Sequence, residues 1–179
     1  MKKRVLVLSS SPRREGNSDQ LCSRFVAGAQ EAGHEVEKVV LRDEEIAPCR
    51  ACDGCRHTGV CVQRDEMAAI LDRMLAADVI VLATPVYFYS MSAQMKTLID
   101  RTYACWRRLT NKDFYFILTA AVESRDRLGP TLEGLRGFTS CLEGAKEKGV
   151  LFGTGLWEKH DVEGSPLLDE AFEMGRAVS

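Results

Sequence analysis

No apolar run in this chain approaches the length of a membrane span or of a secretory leader's core. At the start, MKKRVLVLSSSP offers only Val5 to Leu8. A cytoplasmic protein with no membrane partner is the expectation. A surplus of either charge is also missing: 24 Lys and Arg stand against 26 Asp and Glu, for a formal charge of -2, so no basic field draws nucleic acid. Histidine is scarce. His34, His57 and His160 are scattered, and none sits in a nucleophile or zinc-protease pattern. Repeats, low-complexity tracts and Pro/Ser-rich linkers are absent too, and 179 residues with 45% hydrophobic content fit a single domain, 1–179. Neither G-x-G-x-x-G nor G-x-x-x-x-G-K-[ST] occurs, so the sites those loops build for a pyrophosphate or for a triphosphate with magnesium are not expected.

What the chain does have is regular alternation of short apolar runs with helical stretches. RVLVLSS, from Arg4 to Ser10, is unbroken Val and Leu, as in a parallel strand buried on both faces. DQLCSRFVAGAQEAG follows with Leu21, Cys22, Phe25, Val26 and Ala29 on one helical stripe and Gly33 as its stop. HEVEKVVL alternates like a strand near a sheet edge; DEMAAILDRMLAAD has helical spacing at Met67, Ile70, Leu71 and Met74, with Asp65 as its N-cap. VIVLAT is the most buried strand by composition, and a helix from Ser92 to Trp106 comes next. The strand FYFILTA, a helix across Arg127 to Glu147, a strand at GVLFGTG and a helix opened by Ser165 and Pro166 complete the chain. Five strands alternating with five helices predict a doubly wound α/β sandwich, a parallel sheet of order 2-1-3-4-5 with helices on both faces. Ligands of such a sheet bind outside the carboxyl ends of its strands, near the switch point between the first and the third.

Two loops fall at that switch point. SSSPRREGNS runs into a helix starting near Ser18 and puts hydroxyls, an amide and two arginines where backbone N–H groups face a positive helix terminus. A monophosphate suits it, although the same residues also make an ordinary capped turn. TPVYFYSMSAQMK carries Tyr87, Phe88 and Tyr89 in succession. Three consecutive rings cannot all point into a core, and a planar ligand would meet them there; packing under the next helix or at a subunit contact is the alternative.

SSPRREGNS and PVYFYSMSAQMKTLIDR resemble the two signature segments of the flavodoxin-like NADPH-dependent FMN reductase family, and the likeness extends to the terminal GSPLLDEAFEMGRAV. The resemblance implies that Ser11, Arg13, Asn17 and Ser18 hold the FMN phosphate. Pro85, Val86, Tyr87, Phe88, Tyr89, Ser90 and Met91 would line the ribityl chain and ring, largely through backbone groups. Thr119 and Ala120 match the start of the third flavin loop, but TAAVESRD lacks the usual glycines and carries Glu123 where an uncharged turn is expected. The chemistry then belongs to the cofactor, so no catalytic side chain is expected. NAD(P)H would be the co-substrate and a quinone, free flavin or ferric complex the acceptor. A homodimer or homotetramer is implied as well, its subunits completing each other's pockets, with Tyr103, Trp106 and Trp157 available at the contacts. On the residues alone, Trp157 and His160 in GTGLWEKHDVEGS read as surface-loop residues, and His34 as a solvated turn residue.

Between the second strand and the second helix lies a Cys-rich insertion at about 47–64, PCRACDGCRHTGVC at its centre. Cys49, Cys52, Cys55 and Cys61 are spaced C-x2-C-x2-C-x5-C, close enough to share one site, as a [4Fe–4S] centre requires. Zinc sites more often join two Cys pairs a dozen or more residues apart. Free or variably oxidised thiols, zinc and a disulfide remain open beside the cluster. Arg50, Arg56, His57 and Arg64 flank the thiols. The segment also resembles that of the iron-sulfur flavoproteins, a branch of the same group, which implies electron transfer from a ferredoxin through the cluster to FMN. Cys22, Cys105 and Cys141 read as small apolar helix residues.

Overall fold

The computed structural model describes residues 1–179. Its strands are β1 (Arg4–Ser9), β2 (Glu35–Val40), β3 (Val79–Tyr87), the two-residue β4 (Ser90–Met91), β5 (Asp113–Thr119) and β6 (Lys146–Gly153). They order as β2-β1-β3-β5-β6, with β4 folded back on the end of β3. All neighbours but the β3–β4 pair are parallel. Counting only the long strands, this is the flavodoxin-like order 2-1-3-4-5.

The helices are α1 (Asn17–Glu31), the single-turn α2 (Cys55–Thr58), α3 (Met67–Ala76), α4 (Ala93–Arg101), α5 (Gly129–Ser140) and α6 (Leu167–Arg176). Alternation along each central strand feeds two cores. Leu6, Leu8, Ile80, Leu82, Phe114 and Phe116 face the layer that holds α3, α4 and α5, while Val5, Val7, Val79, Val81 and Ile117 face α1 and α6. The α1 and α6 backbones nearly touch: a Cβ on Gly28 would lie 2.0 Å from the Phe172 carbonyl oxygen, so only glycine fits there. No helix is long and apolar enough to cross a membrane.

Several local expectations need correction. The helix expected to reach Trp106 ends at Arg101, and two 3-10 turns follow, Thr102–Ala104 and Trp106–Arg108, on either side of Cys105 at φ -135°. The helix expected over 127–147 spans only Gly129–Ser140, because Gly144 at φ +69° turns the chain into β6. Ser165 does not cap α6, since its hydroxyl donates to the Val162 carbonyl at 2.8 Å and Pro166 takes the cap position. Asp65 is likewise not the cap of α3, which is Glu66. His34 is no free turn residue: its Nδ1 accepts from Lys3 N–H at 3.1 Å and its Nε2 lies 2.8 Å from the Val178 carbonyl, tying both chain ends to the sheet edge.

Candidate functional site

The switch point has a polar floor in which every hydroxyl is committed. Ser92 donates to the Ser10 carbonyl at 3.1 Å and caps α4 by accepting from Met95 N–H at 3.3 Å. Thr84 Oγ1 accepts from Ser92 N–H at 2.9 Å. Ser10 Oγ donates to the Ala83 carbonyl at 2.9 Å. One step away, Ser9 donates to the Asp19 carboxylate at 2.9 Å, and Lys38 pairs with the same carboxylate at 2.7 Å. Buried hydroxyls thus lock the loop after β1 to the loop after β3 at fixed separation.

Above this floor opens a cavity of about 340 Å³. Ser11, Arg13, Asn17 and Ser18 line one end, Pro85, Val86 and Tyr87 another, and Thr119, Ala120 and Ala121 a third. No side chain caps the amino end of α1, where Gly16 stands at the cap position, so the first N–H groups of the helix are left for a ligand or water. A Cβ at Gly16 would come 2.8 Å from Ser11 Oγ and would displace that hydroxyl. Asn17 is placed differently from a simple anion ligand. Its amide donates to the Glu158 carbonyl at 2.8 Å and accepts from Val162 N–H at 3.2 Å, so the side chain anchors the loop before α6.

That loop is the part of the cavity missing from the sequence reading: Leu156, Trp157 and Glu158 line it. Arg13 reaches the Trp157 carbonyl at 3.4 Å, and the indole is 71% exposed at the rim. The signal available in the sequence was its place directly after the last strand, where an α/β sheet binds its ligands.

Phe88, Tyr89, Ser90 and Met91 lie outside the lining of this cavity. The reason is a two-residue hairpin: Tyr87 pairs with Ser90 and Val86 with Met91, leaving Phe88 and Tyr89 as the turn, at φ 48° and 62°. Such a turn needs two left-handed residues and ordinarily uses Asn and Gly. Here it turns a fully exposed phenyl ring and a half-exposed phenol outward, the phenol 3.4 Å from Arg127 Nη1.

The cysteine segment is pinned at both ends by one buried cation. Arg101, whose side chain is 1% exposed, donates from Nη1 and Nη2 to the two Asp65 oxygens at 2.6 and 2.8 Å, and from Nη1 to the Ala47 carbonyl at 2.6 Å. Asp65 in turn accepts from the N–H groups of Ala47 at 3.1 Å and Met67 at 3.2 Å. Arg101 holds its carboxyl below the usual carboxylate range. Between these ends Ala51 and Asp53 adopt φ 50° and 55°, wrapping the chain around Cys52, and Ala51 N–H points to Cys49 Sγ at 3.5 Å.

All four clustered thiols line a single cavity of about 390 Å³. They are free, and no group of three or more His, Cys, Asp or Glu side chains is set to hold a metal ion. Burial raises the Cys55 thiol, and the neighbouring thiols add to the rise. Arg101 Nε is buried without an acceptor, and Cys61 lies beside that guanidinium. Elsewhere, burial pushes Cys22 to about 12 and Cys105 to about 11, as inert core thiols. Cys141 is exposed, beyond the end of α5, rather than a packed helix residue.

A family model described as NADPH-dependent FMN reductase matches residues 3–134. The chain belongs to this family. An iron-sulfur flavoprotein of Methanosarcina thermophila is 39% identical over 99 residues, 55% of this chain and 52% of that one. Another, from Archaeoglobus fulgidus, is 29% identical over 186 residues, covering 94% of this chain and 89% of its own. The chain spans about half the length of the first of these relatives. Among solved structures, an azoreductase from Bacillus anthracis superposes with a TM-score of 0.76 over 99% of this chain and 100% of that one, at 17% identity, a likeness of fold.

Proposed function

We propose that this chain is a single-domain FMN-dependent oxidoreductase that accepts reducing equivalents from NAD(P)H and delivers them to a small acceptor such as a quinone, free flavin or ferric complex. One observation carries the reading: a single cavity joins an uncapped helix terminus and hydroxyls to the ends of β3 and β5. A terminal phosphate fits the first part and a flat ring the second. FMN, when bound, supplies hydride acceptance and electron release. The chain's own residues bind and orient it. Ser11, Ser18 and the first N–H groups of α1 hold the phosphate, Arg13 offsets its charge, and Asn17 keeps Trp157 at the rim. The backbone of Pro85 to Tyr87 and of Thr119 to Ala121 borders the ring. No side chain in the cavity is required to move a proton.

A second reading is an iron-sulfur flavoprotein that takes electrons from a ferredoxin. Four thiols lining one cavity, with the Arg101 guanidinium beside Cys61, suit a multi-atom anionic cluster held by Cys49, Cys52, Cys55 and Cys61. The absorption spectrum of protein purified without oxygen, with flavin, iron and zinc quantified on one sample, tests both readings. Flavin without iron supports the reductase alone, and flavin with about four irons per chain supports the second reading. Protein with no flavin contradicts both. Trp157, exposed at the cavity rim, supports a homo-oligomer, testable by sedimentation, with a monomer as the contrary result.

A further inference from the structure

Three guanidinium groups and an imidazole surround a hollow that the flavin account leaves unused. Arg56 and His57 come from α2, and Arg107 and Arg108 from the 3-10 turn beyond α4. Tyr103 and Trp106 form the walls between them. The hollow measures about 450 Å³, no carboxylate lines it, and it shares no lining residue with the cavity at the switch point. None of its three arginines makes an ion pair, although seven other arginines of the chain do. Two of them are nevertheless directed. Arg107 lies over the Trp106 ring at 5.2 Å, and Arg108 donates to the Gly59 carbonyl at 3.4 Å.

Cations without carboxylate partners that line a concave surface raise the local potential, and the natural way to lower it is a bound anion. Guanidinium forks match phosphate oxygens two at a time, while indole and phenol faces stack on a planar ring. The volume falls within the roughly 300–1,000 Å³ of small-molecule sites. A protein partner would bury about 800 Å² of this chain, far beyond these few residues. We propose that this hollow is a second ligand site that binds a phosphorylated planar ring, a nucleotide-class anion, against the cysteine segment. Cys55 lines the hollow as well as the thiol cavity. A ligand seated there therefore shields that thiol.

Equilibrium dialysis of FMN-saturated protein tests the site, with ADP, inorganic phosphate and adenosine as separate probes. ADP is expected to bind more tightly than phosphate, and adenosine least. The R107Q/R108Q variant should lose at least tenfold in ADP affinity and keep its FMN content. R56Q, on the other side of the hollow, should also weaken ADP, which guards against a folding defect in either variant. ADP should slow alkylation of Cys55 severalfold, read by peptide mass analysis. Unchanged ADP affinity in these variants, or no ADP binding at millimolar concentration, would overturn the proposal. Binding of hexaglutamate in place of ADP would overturn it too and assign the surface to an acidic protein.

Discussion

Replacing Asp65 by alanine leaves a guanidinium buried and uncompensated, because Arg101 is 1% exposed and spends both terminal nitrogens on that carboxylate. The N–H groups of Ala47 and Met67 also lose their acceptor; at Ala47 the site is exposed and water can replace it, while Met67 N–H is part-buried. The main cost is the orphaned cation, about 3–5 kcal/mol for a broken buried pair. Against a total stability of about 5–15 kcal/mol, that is a severe loss. With a urea m-value of about 2 kcal/mol/M the midpoint should fall by about 2 M at unchanged slope. D65L/R101M removes both charges and should cost far less than the sum of the two single variants. The assay is urea unfolding of metal-free protein followed by circular dichroism. A D65A cost below about 1 kcal/mol, or additive costs in the double variant, would refute a clamp at this position. The pH dependence has a defined sign. Asp65 titrates lower folded than unfolded, so its contribution is complete above the ordinary carboxylate range near pH 4 and is lost as pH falls through the depressed folded value.

Phe88 stands at φ 48° with its ring fully exposed, so Phe88→Asn should relieve about 1 kcal/mol of left-handed strain and raise the melting temperature by about 2–4 °C. A lower melting temperature would place that ring inside an assembly and contradict its free exposure. Asn17→Ala cuts both hydrogen bonds that hold the Trp157 loop and should weaken FMN binding about tenfold, a loss near 1.4 kcal/mol; unchanged affinity by fluorescence titration would show that the loop stays closed without the amide. In metal-free protein at pH 8, a disulfide reagent should modify Cys49, Cys52 and Cys141 quickly. Cys22 and Cys105, raised to about 12 and about 11, should react only on unfolding. Prompt reaction of Cys22 would show that its helix opens locally.

The layers of the fold were legible because each central strand is an unbroken apolar run and each helix an amphipathic stripe, as at Met67, Ile70, Leu71 and Met74, all buried. Helix ends were less so. Nothing in the spacing at Thr102 to Arg108 distinguishes an α-helix from two 3-10 turns. At the site, the loops after β1 and β3 announced themselves by turn residues and consecutive rings. The turning outward of Phe88 and Tyr89 could not be read, since their hairpin uses residues that ordinarily avoid left-handed backbone. Asn17 shows the other limit: its type suited a phosphate ligand, yet its partners are backbone groups more than 140 residues away. The Arg101 clamp left no sequence signal, because Ala47, Asp65 and Arg101 meet only once the sheet has formed.

The most direct test is an anaerobic titration of the FMN-loaded protein with NADPH and, separately, NADH, followed by the flavin's visible absorption. Bleaching of the band by about one equivalent of either nucleotide, with full recovery on adding a quinone, is the predicted result. A flavin that neither nucleotide bleaches, but that dithionite or a reduced ferredoxin does, would contradict the reductase assignment.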